Sequence, residues 1–221
     1  MAKKNKVIIM GYIDKILNKE CNVIRMKVKK NDKKYIYPIV QINKNYGDDL
    51  KEGKVASLMG HIRTEYKGIN YNCPNEFCNG IIKYNYLFTK VEAEEFHILE
   101  EITSNPYMNQ VILLGPVCRD KNFKYIQGTK SPVAYTKYQL AVGRRVPSET
   151  DYPWIVTYAR QAEEDNNRIV VGSQVLVDGM IITRNNVKKC ECNVCGATME
   201  INETLTEVQG ATVEYLNNCV F

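Results

Sequence analysis

Five of the eight cysteines lie in two short segments whose spacing suits metal binding. The first segment reads C-P-N-E-F-C-N-G and contains Cys73 and Cys78, and the second reads C-E-C-N-V-C-G and contains Cys190, Cys192 and Cys195. Paired thiolates in a tight turn with Gly or Asn are typical of zinc knuckles, and a structural zinc site needs four ligands. Because each segment supplies only two or three thiols, we expect the two segments to share one zinc ion. Unliganded thiols are the alternative.

The spacing also indicates which thiols would share the ion. Cys73 and Cys78 map onto Cys190 and Cys195 with one offset of 117 residues, so these four form the preferred set. Cys192 is then spare, or it replaces Cys190 to give a tighter C-x-x-C pair. Other sources of ligands stay open, namely Cys219, His61, His97 and a second chain. A shared zinc would fix the two segments relative to each other.

A second set of residues suits nucleic-acid binding. In the motif Y-P-W-I-V-T-Y, a strand periodicity of two places Tyr152, Trp154 and Tyr158 on one face. Arg144, Arg145 and Arg160 lie nearby in the sequence, and cations interleaved with aromatic rings suit stacked bases and phosphates. The alternative is that the three rings fill a protein core. We favour the stacking platform.

Residues 109–184 carry five short motifs in a fixed order. They read N-Q-V-I-L-L-G, C-R-D-K-N-F-K-Y, Y-Q-L-A-V-G-R-R, R-Q-A-E and G-S-Q-V-L-V-D-G-M-I-I-T-R. Together these motifs resemble the bacterial single-stranded DNA-binding protein family. The resemblance implies an OB-fold, a small five-stranded barrel that binds single-stranded nucleic acid across its face and loops. It also implies that Tyr152 and Tyr158 stack on bases.

The chain departs from the family pattern in two places. Asn186 stands where the family has a stacking aromatic residue, and the end N-N-C-V-F lacks the family's flexible tail with an acidic tip. We therefore expect no recruitment of repair enzymes through such a tail. The departures support a rival hypothesis: an OB-fold assembly or accessory factor of a replication or conjugation complex, with weak or no nucleic-acid binding. The related primosomal accessory protein is a precedent for it.

The first half of the chain repeats features of the second half. N-K-V-I-I-M-G at residues 5–11 matches N-Q-V-I-L-L-G at residues 109–115, with an offset of 104. We therefore expect an all-β fold of two tandem OB-fold barrels with little helix. Residues 1–104 would form the N-terminal domain and residues 105–221 the C-terminal domain. A glycine pair seven residues apart also recurs, as Gly53 with Gly60 and as Gly172 with Gly179.

Two segments predict helices. Residues 92–101, E-A-E-E-F-H-I-L-E-E, have helical composition, with Ala93, Phe96 and Leu99 at helical spacing, and predict a helix that connects the domains. Residues 162–168, A-E-E-D-N-N-R, predict a short helix within the second domain.

Alternation in the first domain extends the predicted interface. The strand near residues 22–29 places Arg25, Lys27 and Lys29 on one face, opposite an apolar face, and the next strand adds two tyrosines with matching parity. In the second domain, Lys137 points outward and Tyr138 points into the core. The predicted nucleic-acid contacts are Arg25, Lys27, Lys29, Tyr35, Tyr37, Lys137, Arg144, Arg145, Tyr152, Trp154, Tyr158 and Arg184.

Composition and charge agree with a nucleic-acid partner. The chain is 44% hydrophobic and 25% charged, as is usual for globular proteins. No apolar run reaches the roughly 18 residues of a membrane helix, and the N-terminus shows no signal-peptide core, so we expect a cytoplasmic protein without a membrane partner. The net charge of +5 lies in residues 1–104, with 18 Lys and Arg against 13 Asp and Glu, whereas residues 105–221 carry 12 of each. A basic half indicates a polyanionic partner.

These features predict a non-enzymatic protein, because the sequence contains no catalytic motif with suitable spacing. We expect it to bind single-stranded DNA with low sequence specificity, in replication, recombination or mobile-element DNA transfer. RNA stays open as a ligand, as do replication or recombination proteins as partners. Because two joined barrels reduce the need for self-association, we expect a monomer or a homodimer.

Overall fold

The computed structural model describes residues 4–31, 33–44, 46–100, 107–129, 131–144 and 149–220. Strands dominate these ranges, and they contain a single α-helix. No helix among them is long and apolar enough to cross a membrane.

The first half contains six strands whose alternation buries one face. In the second strand, Ile24, Met26 and Val28 are fully buried, as the sequence pattern predicts. The elements are β1 (Lys4–Asn18), β2 (Val23–Asn31), β3 (Lys34–Ile36), β4 (Ile39–Ile42), a 3-10 turn (Gly47–Asp49), β5 (Val55–Asn72) and β6 (Ile81–Leu99).

The second half contains seven strands and the helix. Tyr138 is fully buried, which confirms its predicted place in the core. The helix includes the predicted residues 162–168. The elements are β7 (Met108–Ile126), β8 (Val133–Leu140), β9 (Val142–Gly143), β10 (Thr150–Asp151), β11 (Trp154–Tyr158), α1 (Ala159–Arg168), β12 (Gln174–Glu191) and β13 (Thr198–Asn217).

Both halves close into five-stranded barrels with the same pairing scheme. In the first barrel β1 pairs with β5 and β2, β5 with β6, and β4 joins β6 in parallel and β2 antiparallel. In the second, β7, β12, β13, β11 and β8 repeat these pairings in the corresponding order. The predicted all-β architecture of two barrels with little helix is confirmed.

Strands β1 and β7 join the barrels. They pair antiparallel from Lys4 opposite Leu114 to Met10 opposite Met108, so one continuous sheet runs through both barrels. Two long hairpins extend from this body. We call the outer part of β5–β6, residues 66–87, arm 1, and the outer part of β12–β13, residues 185–204, arm 2.

The predicted helix at residues 92–101 is wrong, because β6 continues to Leu99. The register of the β5–β6 ladder shifts at Glu94, because Gly60 lies opposite Ala93 and the preceding Met59 lies opposite Glu95. This β-bulge changes the parity of the strand, so Ala93 and Phe96 are both buried although they lie three residues apart. The bulge thus gives these two buried side chains the three-residue spacing that is typical of a helix. The predicted domain boundary, between residues 104 and 105, lies outside the described residues.

Candidate nucleic-acid interface and thiol cluster

The outer face of the second barrel carries an aromatic pair and a tryptophan. Trp154 lies opposite Gln139 and Tyr158 opposite Tyr135 in the β11–β8 ladder, so Trp154 and Tyr158 share one face, as their spacing predicts. The rings of Tyr135 and Tyr158 meet edge to face, with centroids 5.5 Å apart. Strands β8 and β11 therefore form an aromatic platform.

Cations lie over these rings. Lys137 Nζ is 4.5 Å from the centroid of the Trp154 ring, and the Arg119 guanidinium carbon is 5.9 Å from it. Lys124 Nζ is 5.6 Å from the Tyr135 centroid. A groove of about 320 Å³ opens beside this platform. It is lined by Asn122, Lys124, Ile126, Tyr135, Lys137, Tyr158 and Arg184.

A buried carboxylate holds two of the cations in place. Glu207 on β13 is 3% exposed and accepts hydrogen bonds from Lys137 at 2.7 Å and from Arg184 at 2.8 Å and 3.1 Å. Burial by itself would raise the pKa of Glu207, but the hydrogen bonds from Arg184 and Lys137 outweigh it and lower that pKa. Lys137, Arg184 and Glu207 together carry a net charge of +1. Glu207 therefore neutralises half of the positive charge of the two predicted phosphate contacts.

Three predicted contacts have a different setting. Tyr152 precedes β11, is 38% exposed and donates its backbone N–H to Thr64 Oγ1 at 2.7 Å. Arg144 is 13% exposed and donates to Asp151 at 2.7 Å and 2.8 Å and also to Glu149. This guanidinium is largely buried and is engaged by two carboxylates, so we expect it to act as an internal ion pair and not as the predicted phosphate contact. Arg145 lies outside the described residues.

The first barrel presents the predicted basic and aromatic row. The Arg25 guanidinium pairs with Asp14 at 2.5 Å and lies 5.6 Å from the Tyr37 ring centroid. Lys27 Nζ lies 4.5 Å from the centroid of the Tyr35 ring, and Lys29 is directly opposite Tyr35 in the β2–β3 ladder. Both tyrosines are exposed, so this row faces solvent.

The two barrels differ at equivalent positions of their pairing scheme. The Ile24–Val40 pair of the first barrel is equivalent to the Tyr138–Ile155 pair of the second. Val23, which precedes Ile24, is therefore equivalent to Lys137, which precedes Tyr138. By the same register, Ile39 takes the place of Trp154. The positions of Arg184 and Glu207 correspond to those of Glu65 and Lys90 in the first barrel, so the acidic and basic residues are exchanged. Lys90 Nζ lies 3.8 Å from Glu65 Oε1. The first barrel therefore lacks the platform of the second and carries its row elsewhere on β2.

Sequence reasoning missed Arg119, Lys124 and Tyr135 as members of this surface of rings and cations. A signal was present for Tyr135, which shares the strand parity of Lys137. Lys124 lies opposite Tyr135 in the β7–β8 ladder, and this pairing depends on register shifts between Val117 and Asn122. Such shifts cannot be read from alternation alone.

Four thiols meet where the tips of the two arms come together. The sulfur atoms of Cys73, Cys78, Cys192 and Cys195 all lie within 4.8 Å of one another. The sulfur of Cys73 is 3.4 Å from that of Cys195, and the sulfur of Cys78 is 3.9 Å from that of Cys192. Zn–S bonds of about 2.3 Å in a tetrahedron place sulfur atoms about 3.8 Å apart. The cluster therefore has the composition and size of a zinc site.

The backbone around the cluster is turned toward the sulfurs. Asn75 donates its N–H to Cys73 Sγ at 3.5 Å, and Gly80 donates to Cys78 Sγ at 3.3 Å. A Cβ at Gly80 would lie 2.6 Å from Cys192 Sγ, so any side chain there would displace that sulfur. Burial raises the pKa of Cys73 to about 12, whereas the N–H groups of Val194 and Cys195 lower that of Cys192 to about 7.

Cys190 is not part of the cluster, which corrects the preferred zinc set. It lies within β12 opposite Met199. Strand β5 corresponds to β12 with an offset of 119, because Gly60 and Gly179 occupy equivalent positions opposite the two bulges. Cys73 is therefore equivalent to Cys192. The tip of arm 2 is two residues shorter than the tip of arm 1, so the offset falls from 119 before the tip to 117 after it.

The arms also pack through side chains below the thiols. Tyr84 donates its hydroxyl to Glu203 Oε2 at 2.6 Å, and Ile82 and Ile201 are almost fully buried. Asn186 donates to Glu203 Oε1 at 2.6 Å. The residue that departs from the family's aromatic position thus supports the contact between the arms.

Comparisons with known proteins agree with this geometry. The sequence model of the Single-strand binding protein family matches residues 108–206. Single-stranded DNA-binding protein 3 of Clostridium acetobutylicum is 37% identical over 82 residues, which cover 35% of this chain and 56% of that protein. Single-stranded DNA-binding protein A of Bacillus subtilis is 32% identical over 114 residues, 49% of this chain and 59% of that protein. The chain thus spans a little over half the length of these relatives.

A solved structure covers both barrels. The wild-type single-stranded DNA binding protein from Thermus aquaticus superposes with a TM-score of 0.64 at 18% identity, covering 99% of this chain and 95% of that chain. This likeness shows the fold, and it includes the first barrel, which the family model does not match. The predicted resemblance is confirmed: residues 108–206 carry the sequence pattern of the Single-strand binding protein family, and the described residues of both barrels share the fold of the solved Thermus aquaticus protein.

Proposed function

We propose that this chain binds single-stranded DNA with low sequence specificity, mainly on the outer face of the second barrel. The observation that carries the proposal is Lys137 Nζ, 4.5 Å from the Trp154 ring centroid and beside the Tyr135–Tyr158 pair. Aromatic faces stack on any base and cations follow the phosphates, so this arrangement suits a ligand of variable sequence. The family match over residues 108–206 supports the same function.

The proposed interface combines predicted and newly found residues. Arg144 is left out because its charge is compensated within the protein. In the second barrel the interface comprises Arg119, Lys124, Tyr135, Lys137, Tyr152, Trp154, Tyr158 and Arg184. In the first barrel it comprises Arg25, Lys27, Lys29, Tyr35 and Tyr37.

The single tryptophan provides the test. Titration with oligo-dT should quench its fluorescence as bases stack on Trp154. In a fluorescence anisotropy assay with labelled oligo-dT, Trp154→Ala should weaken binding by about 1–3 kcal/mol. Tyr66→Ala is the matched control, because Tyr66 is an exposed aromatic residue on arm 1 outside the interface. Unchanged affinity of a folded Trp154→Ala protein would remove Trp154 from the proposed binding site.

The rival function is that of an OB-fold assembly or accessory factor in a replication or conjugation complex. The ion pairs of Arg184 and Lys137 with Glu207 favour it, because they reduce the charge available to phosphates. A salt titration separates the two functions, since the logarithm of DNA affinity falls linearly with the logarithm of salt concentration when phosphates are contacted. Binding that is weak and insensitive to salt supports the rival. Competition between dT and rU oligomers decides between DNA and RNA.

We further propose that residues 1–104 and 105–221 are two copies of one unit, as their shared pairing scheme suggests. Because the copies are already joined, the chain should act as a monomer or homodimer in replication, recombination or mobile-element DNA transfer. Proteins of those processes are its proposed partners. Sedimentation that shows a stable tetramer of the chain would contradict this assembly.

We also propose that one Zn²⁺ is bound by Cys73, Cys78, Cys192 and Cys195. Four thiolates around zinc form a closed structural site that would hold the two arms together. Metal analysis of the full chain should give one zinc per chain, and Cys73→Ser should abolish it. Recovery of the reduced, natively purified protein without metal would contradict this proposal.

A further inference from the structure

The first barrel lacks a helix at the place where the second barrel has α1. Both barrels end this connection in the same way, because Gly53 and Gly172 have positive φ and each donates its N–H at 2.8 Å to the first strand of its own barrel. Before these glycines, residues 43–52 of the first barrel take the place of residues 158–171 of the second, so the first connection is four residues shorter. It forms only the 3-10 turn Gly47–Asp49.

In the second barrel, α1 covers one end of strand β13. Ala162 and Asp165 of the helix are fully buried. Tyr215 of β13 donates its hydroxyl to Asp165 at 2.6 Å and accepts a hydrogen bond from Gln161 at 2.9 Å, and the Arg168 guanidinium carbon lies 5.1 Å from its ring centroid. This end of the barrel is thus covered by a segment of the chain itself.

The equivalent end of the first barrel is open. Ile98 takes the place of Tyr215 in the register of the β5–β6 hairpin, and it is only partly buried. A pocket of about 520 Å³ lies beside it. The rings of Tyr46 and Phe96 meet edge to face, with centroids 5.2 Å apart, and form the apolar lining of the pocket together with Ile98. We call this opening the helix-gap pocket.

Three lysines line the helix-gap pocket, namely Lys44, Lys51 and Lys54. Within the described ranges of the chain no carboxylate forms an ion pair with any of them. The carboxylates of Asp49 and Glu100 also line the pocket, so its lysines exceed its carboxylates by one. The pocket therefore combines an apolar lining with ammonium groups that are available to an anionic partner.

The barrel fold itself does not require these ammonium groups. Lys54 donates its backbone N–H to the carbonyl of Lys51, as Ser173 donates to the carbonyl of Val170 in the second barrel. The same turn therefore forms with an uncharged residue at both positions. The lysines of the first barrel are additions to the turn, and a bound carboxylate would explain them.

We propose that the helix-gap pocket docks an acidic segment of a partner protein. An apolar side chain of that segment would pack on Ile98 and Tyr46, and its carboxylates would lie beside the three lysines, since complementary charges across an interface select the partner. A polypeptide is favoured as the occupant because α1 fills the equivalent place in the second barrel. Docking here is independent of DNA binding by the groove, which lies on the other barrel.

The test uses two fluorescein-labelled peptides of about 14 residues with leucine at helical spacing, one carrying glutamate and the other lysine at the remaining positions. Fluorescence anisotropy with the full chain should show binding of the glutamate peptide and no binding of the lysine peptide. Lys51→Glu and Lys54→Glu should each weaken binding of the glutamate peptide about 5- to 50-fold. Both side chains are exposed, so the variants should fold. Lys188→Glu is the matched control, because it makes the same charge change at an exposed position of arm 2.

The outcomes decide between a protein partner and other occupants. Loss of glutamate-peptide binding from Lys51→Glu and Lys54→Glu, with Lys188→Glu equal to wild type, supports the inference. No binding of the glutamate peptide, or equal binding by all four proteins, overturns it. Weaker oligo-dT binding by the two pocket variants, without glutamate-peptide binding to wild type, would assign the pocket to nucleic acid and also overturn it. Quenching of Trp154 by oligo-dT tests the proposed function separately and should be the same in all four proteins.

Discussion

The backbone N–H of Tyr152 in the second barrel donates a 2.7 Å hydrogen bond to the hydroxyl of Thr64 in the first. The reverse contact also exists, because Tyr37 of the first barrel donates to the hydroxyl of Thr183 in the second at 2.9 Å. Each Tyr-Pro junction is thus held by a threonine of the other barrel. The Tyr152–Thr64 contact is more buried than the Tyr37–Thr183 contact, because Asp151, which accepts a hydrogen bond from the Thr64 N–H at 2.7 Å, is fully buried.

Thr64→Val should therefore destabilise the chain. The partly buried Tyr152 N–H loses its acceptor and the buried Asp151 carboxylate loses the Thr64 hydroxyl as a donor, at a cost of about 1–3 kcal/mol. Urea denaturation measures the change. Thr183→Val is the matched control and should cost less, because the Tyr37–Thr183 bond is exposed to water. Equal losses for the two variants would contradict the expectation that the more buried Tyr152–Thr64 contact contributes more stability than the Tyr37–Thr183 contact.

Glu207→Gln should strengthen DNA binding. Removal of this carboxylate raises the net charge of its trio with Lys137 and Arg184 by one and frees both cations for phosphates. We expect tighter oligo-dT binding and a log affinity against log salt plot that is steeper by about 1. Glu200→Gln is the control, because Glu200 pairs with exposed Lys189 on arm 2 and lies outside the groove. Weaker binding by Glu207→Gln would mean that the carboxylate positions the cations for the ligand.

The same carboxylate gives a pH dependence of stability. The pKa of Glu207 is lowered below its usual 4.5 in the folded chain, because its hydrogen bonds to Arg184 and Lys137 outweigh the effect of burial. A lowered carboxyl pKa stabilises the fold above the unfolded-state pKa, and this contribution is lost as pH falls through the folded-state pKa. The difference in Tm between wild type and Glu207→Gln should be constant above about pH 5 and shrink below about pH 4.5. A constant difference in Tm down to pH 3 would contradict the lowered pKa of Glu207.

Substitutions at the second cysteine segment should separate the two candidate zinc sets. Cys190→Ser should keep one zinc per chain, because Cys190 lies in β12 outside the cluster, whereas Cys192→Ser should lose it. Metal content and Tm of both variants are the measurements. The reverse pattern would restore the set that the offset of 117 suggests.

Gly80→Ala should impair zinc binding without removing a ligand. The added Cβ would lie 2.6 Å from Cys192 Sγ and 3.2 Å from Cys78 Sγ, so both sulfurs must move away from the new methyl group. Competition with a chelator should release zinc faster from this variant. Gly68→Ala on arm 1 is the control, because its Cβ would meet only the movable end of the Asn85 side chain. Equal release from both variants would show that the tip has room to relax.

Several features of this protein follow from the sequence by itself. Alternation with a period of two fixes which residues of β2 and β8 are buried, because neighbouring side chains in a strand point to opposite faces. It therefore gave the basic row on β2, the shared face of Trp154 and Tyr158, and the core position of Tyr138. The five motifs in residues 109–184 indicated the family and its fold.

Tertiary structure decided the features that depend on register between distant segments. A single bulge at Glu94 turned a helix-like pattern into a strand, and the offset of 119 between β5 and β12 brought Cys192 into the thiol cluster in place of Cys190. Long-range ion pairs likewise engaged Arg144 with Asp151 and Lys137 with Glu207. Local periodicity carries no information about which strands pair, or at which residue, because cross-strand contacts form between segments far apart in the chain.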